Sequence, residues 1–118
     1  MLRFACFLLL IPLVLSAQER LTGNDFDAFT RGQTFYYGYD LEAYGAEEYL
    51  DYRRVRWSYL DGECKDGYWY DTPENLICFV YEDRPDAPQC WAFFKDNNKL
   101  IATFENGAQA APLYQIEK

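Results

Sequence analysis

The stretch ICFVYEDRPDAPQCWAFF, residues 77–94, sets two apolar runs on either side of an acidic, proline-containing turn, with one cysteine in each run. Asp83, Arg84, Pro85 and Asp86 punctuate it as turn residues do. Cys78 and Cys90 lie symmetrically about Arg84. In a symmetric hairpin they face each other across adjacent strands, and a bridge between them would stabilise the domain by about 2–3 kcal/mol. Cys64 is a rival partner, because Cys64 and Cys78 are symmetric about Asp71, where the preceding turn begins. The reading favours Cys78–Cys90, with Cys64–Cys78 as the alternative, since sequence does not fix connectivity. The third thiol is then a buried or idle group, or the link of a Cys64-joined dimer. A redox role for Cys64 is the weaker reading: there is no Cys-x-x-Cys, and only Lys65 adjoins it in sequence to lower its pKa.

Outward from this hairpin the same pattern repeats. Residues 52–60, YRRVRWSYL, place Val55, Trp57 and Tyr59 on one face and Arg54, Arg56 and Ser58 on the other. Residues 33–39 group Phe35, Tyr37 and Tyr39 in the same way. Further runs at 43–50, 65–70, 76–82, 89–95 and 100–105 are separated by turn residues, among them Asp61-Gly62 and Asp96-Asn97-Asn98. The chain carries 11 Tyr, 9 Phe and 3 Trp, of which only Phe4 and Phe7 precede residue 18. Aromatic side chains suit half-buried pleated surfaces. The expected fold is mainly β, an antiparallel meander curled into a small barrel or a sandwich. One short N-terminal helix is expected ahead of it, capped by Thr22 and stopped by Gly32. Its Phe26 and Phe29 share a face and should plug an open end or face of the sheet.

The N-terminus addresses the compartment. A single positive charge at Arg3, an apolar run over 4–15 and small residues at Ser16-Ala17 describe a secretory signal peptide over 1–17. Residues 18–105 then form one domain and 106–118 a flexible C-terminal tail. The expected location is periplasmic or secreted, with no membrane association once the leader is cleaved.

Charge and composition exclude several functions. With 11 basic against 19 acidic residues, the chain has a net charge of −8. Nucleic acid and anionic lipid both require a basic footprint. The sequence has no histidine, so serine–histidine and cysteine–histidine nucleophiles and histidine-held zinc are ruled out. The acidic loop DGECKDG, residues 61–67, does not match a calcium-loop spacing and reads as a solvated turn. No metal and no cofactor is expected. Glu47, Glu48 and Asp51 stand near Arg53, Arg54 and Arg56. Adjacent Glu47 and Glu48 point to opposite faces of a strand, which works against a paired-carboxylate catalyst and favours cross-strand ion pairs. Arg54 and Arg56, on one face, are the candidate contacts for a carboxylate or phosphate of a ligand or partner.

The blocks YGAEEYL (44–50), RVRWSYLDGECKDGYWY (54–70), ICFVYED (77–83) and QCWAFF (89–94) resemble those of an uncharacterised family of short exported proteobacterial proteins. That family is related to domains of unknown function with an aromatic, cysteine-bearing C-terminal half. The resemblance spans about residues 32–105. It implies a periplasmic location and a small β-domain, and brings no assigned activity and no catalytic residues.

Two functional classes follow. The first is a non-enzymatic exported binding or interaction module, monomeric, acting on an unknown protein through exposed tyrosines. The second is a barrel holding a small apolar or aromatic ligand, which a filled interior would exclude. A thiol- or carboxylate-based enzyme ranks third.

Overall fold

The computed structural model describes residues 10, 18–108 and 111–117. The leader read over 1–17 therefore lies, apart from Leu10, outside the described residues. Helix α1 (Gly23–Thr30) leads into eight strands: β1 (Thr34–Gly38), β2 (Gly45–Tyr49), β3 (Arg54–Tyr59), β4 (Cys64–Asp71), β5 (Ile77–Tyr81), β6 (Gln89–Asp96), β7 (Lys99–Phe104) and β8 (Leu113–Ile116). Each strand pairs antiparallel with the next, and β8 returns to β1, so the sheet closes into a barrel. Of the two architectures expected from the sequence, the barrel is the one formed.

The stretch read as a flexible tail over 106–118 contains a strand, β8 (Leu113–Ile116). This strand pairs with β1, Tyr36 opposite Ile116 and Gly38 opposite Tyr114, and with β7, Ala102 opposite Leu113. The pairing leaves no open edge between β1 and β7, which would otherwise expose two rows of unpaired backbone groups. The strand expected from residue 52 begins instead at Arg54. Tyr52 and Arg53 both adopt positive φ (60° and 59°). Arg53 is held there by Asp71, 2.7 Å away, and by the ring of Trp69, 4.2 Å below its guanidinium.

Alternation decides what faces inward. Phe35 and Tyr37 of β1, Val55 and Trp57 of β3, and Ile77 and Phe79 of β5 all enter the core. Arg54 and Arg56 stay outside. Thr22 caps α1, its hydroxyl accepting from the Asp25 N–H at 3.1 Å, and Gly32 follows the helix at φ +77°. The helix lies across the barrel end from which the odd-numbered strands start. Gly32 N–H donates to Tyr49 O at 2.8 Å, and Leu21 N–H to Phe93 O at 2.8 Å. Phe26 is fully buried and meets the rings of Tyr49, Trp69, Phe79 and Phe93 at 4.5–6.4 Å. Edge-on aromatic contacts of this kind fill space without leaving a polar atom stranded. The expected plug is in place at this end.

The cysteines follow the register. Cys78 and Cys90 are directly opposite on β5 and β6 and form the disulfide, Cα–Cα 3.9 Å. The alternative Cys64–Cys78 bridge is overturned. Hydrogen bonds from Thr72 N to Leu76 O and from Asn75 N to Thr72 O centre the β4–β5 turn beyond Asp71, so Cys78 faces Tyr70. Cys64 lies at the far end of β4, roughly 20 Å along the strand at its usual rise per residue. It is free and exposed, with its sulfur 3.2 Å from Ser58 Oγ.

Candidate functional site

The barrel end opposite α1 is where odd-numbered strands finish and even-numbered ones begin. Tyr44 precedes β2, Tyr59 ends β3, Lys65 is near the start of β4, Tyr81 ends β5 and Gln89 begins β6. Together with Trp57 and Trp91 these residues wall a cup, floored by Tyr37, Tyr49, Phe79 and Phe93, that encloses about 70 Å³. A single water needs about 10–15 Å³ measured this way, so the space holds several waters or a small molecule. An eight-stranded barrel is just wide enough for such a choice, its interior either filled by side chains or holding one small ligand. Here the half beneath α1 is filled and the other half keeps a cavity.

Gly45 shapes one wall. The indole of Trp57 lies across it so closely that an added Cβ would strike the ring. Trp57 in turn packs against Tyr44 at 5.4 Å and edge-on to Tyr59 at 5.7 Å. At the floor, the Tyr37 and Tyr49 hydroxyls share a buried hydrogen bond of 2.7 Å. Burial pushes both hydroxyls far above the ordinary phenol range.

The one acid in the cup is Glu47, only 2 % exposed. Tyr81 Oη donates to its Oε1 at 3.0 Å. Its Oε2 has no hydrogen-bond partner, alone among the described buried side-chain oxygens and nitrogens. Desolvation raises the Glu47 pKa to about 8, opposed by the Tyr81 hydrogen bond and the charge of Lys65. Lys65 lies at the entrance, its Nζ 5.3 Å from the ring of Tyr59 and 5.6 Å from that of Tyr81, tethered to Asp83 at 3.2 Å. An unsatisfied buried carboxylate oxygen costs free energy, so a native fold that keeps one invites a functional explanation.

Glu47 and Glu48 do face opposite sides, as strand alternation requires. Glu48 is outside, 3.8 Å from Arg56, which also binds Asp66 at 2.8 Å. Arg54 Nε donates to Asp51 O at 3.3 Å. Both candidate arginines thus lie on the outer surface bonded to their own chain, and neither reaches the cup. The sequence reading weighed Glu47 as half of a catalytic pair and passed over it as an interior acid. Its signal was the two-residue spacing to Tyr49, but the opposite face of that run carries Tyr44, Ala46 and Leu50 and is just as apolar. Among the described residues, no group of three cysteine or acidic side chains is close enough to hold a metal, and no helix is long and apolar enough to cross a membrane. No family model, curated protein or solved structure matches the chain.

Proposed function

We propose that this protein binds a small molecule in the open end of its barrel, as an exported binding protein without catalysis. The observation that carries the reading is the unpartnered Oε2 of Glu47, buried in a cup walled mostly by aromatic rings. Apolar walls with very few polar anchors are the usual make-up of small-ligand sites. The disulfide accords with an oxidising compartment.

A second reading, docking of a protein partner, draws on the exposed β1–β2 and β3–β4 loops beside the cup. Leu41 is 93 % exposed and Leu60 53 % exposed, and Tyr39 stacks on Tyr44 at 5.5 Å at the edge of the opening. Buried aromatic anchors are common at interfaces. The cup is preferred because its buried polar atom lacks a partner, whereas exposed leucines on a surface need none.

Native mass spectrometry of the protein taken undenatured from its own host tests the reading. The expected result is a monomer carrying a small-molecule adduct that is lost on unfolding, with Trp57 and Trp91 fluorescence changing as it leaves. An adduct-free protein whose tryptophan emission responds to no small aromatic or aliphatic compound would overturn it.

A further inference from the structure

Resting on the reading of the cup as a binding site, we propose that its ligand is a small arylalkylammonium, whose N–H donors reach Glu47 Oε2 while its ring lies against Trp57, Tyr59 and Trp91. Three independent observations converge on a cation. Glu47 Oε2 is buried and lacks a partner, and the carboxylate left when Glu47 gives up its proton is an acceptor only, satisfied by N–H donors. The cup already receives one ammonium, the chain's own: Lys65 Nζ stands over the Tyr59 and Tyr81 rings, the placement that attracts a cation to an aromatic face. The rim is acidic, with Glu63, Glu82 and Asp83 beside Lys65, and the chain's net charge is −8. That field draws cations to the opening and turns anions away.

The ligand enters by displacing the Lys65 ammonium from the two tyrosine rings toward Asp83, which already holds it at 3.2 Å. The titratable groups that act on Glu47 are Tyr81 from β5, Tyr37 from β1, Tyr44 just before its own strand, Tyr49 on that strand and Lys65 from β4. Burial holds the four tyrosines protonated throughout the neutral range. Glu47, with its pKa near 8, is the group that changes state. In the empty cup at neutral pH it is the uncharged acid. On binding, its proton leaves to solvent and the carboxylate pairs with the ammonium, so one proton is released for each cation bound. Ammonium affinity therefore falls about tenfold for each pH unit below the Glu47 pKa, because the proton competes for the same oxygen.

Isothermal titration calorimetry with phenethylammonium, 2-phenylethanol and phenylacetate, run on the disulfide-intact chain in two buffers of different ionisation enthalpy, tests this. At about pH 6.5 the ammonium is expected to bind at least about tenfold tighter than the alcohol, with release of about one proton, and phenylacetate not at all. E47Q is expected to lose both the preference and the proton release while still binding the alcohol. K65M, which leaves Glu47 intact, is expected to bind the ammonium more tightly and to raise the ratio of ammonium to alcohol affinity. Equal binding of ammonium and alcohol, or an E47Q variant that keeps the preference, overturns the ammonium class and leaves the cup as a binding site. Unchanged ammonium affinity in K65M overturns its placement at Tyr59 and Tyr81. If none of the probes binds, a native protein carrying an uncharged adduct overturns the ammonium class alone, and an adduct-free, unresponsive protein overturns the binding reading as well.

Discussion

Glu47 concentrates the chemistry of this protein in one side chain, and its burial has a consequence for stability as well as for binding. The carboxyl titrates near 4.5 when exposed and near 8 in the fold. Between those values the folded protein keeps a proton that the unfolded chain has released. Stability is therefore fully present below the unfolded pKa, declines as pH rises by up to about 1.4 kcal/mol per unit, and levels off above the folded pKa. Urea unfolding of the wild type and of Glu47→Gln, at about pH 5 and about pH 8, is expected to show the wild type losing a few kcal/mol relative to the variant across that window. Parallel behaviour of the two would mean that Glu47 is already ionised and partnered. At this scale the disulfide was legible in advance, because Cys78 and Cys90 are set by one local turn. Glu47 was not, because both faces of residues 43–50 carry aromatic side chains and only the closed barrel says which is inside.

At the scale of elements, alternation and turn residues located seven strands to within one or two residues. The start of β3, two residues later than expected, is instructive. Tyr52 fits the strand pattern in sequence, yet it and Arg53 turn left-handed because Arg53 is captured by Trp69 and Asp71 from the neighbouring strand. A tertiary contact there outweighs a local propensity. Helix α1 is the opposite case. Eight residues are too few to hold a helix in water unaided, and its stability comes from seating Phe26 among four aromatic rings. Phe26→Ala is expected to destabilise the protein by about 3–5 kcal/mol, the cost of a large cavity in a packed site. A denaturation midpoint shift equivalent to less than about 1 kcal/mol would show that the helix is not seated there.

For the whole molecule, closure rests on β8, only four residues long. Its Leu113 is buried, and Gln115 Oε1 accepts from the Leu100 N–H at 2.9 Å, adding a side-chain bond where the backbone ladder is short. Deleting residues 108–118 leaves every other hairpin intact but opens the sheet between β1 and β7. The truncated chain is expected to lose cooperative unfolding and near-ultraviolet dichroism while retaining much of its far-ultraviolet strand signal. A cooperative transition within about 1 kcal/mol of the full chain would show that closure is dispensable.

What residue order determined by itself was local: the two-residue alternation, the turns, the helix cap at Thr22 and the symmetric placement of Cys78 and Cys90. Each depends on neighbours a few positions away. Only the tertiary structure decided that the sheet closes, that residues 113–116 close it, and that Glu47 and Lys65 meet five tyrosines at one end. The strands that β8 joins are supplied by segments far apart in the chain, and Glu47 comes inward because it pairs with Phe35 and Trp57, on a face that only the closed ring makes an interior.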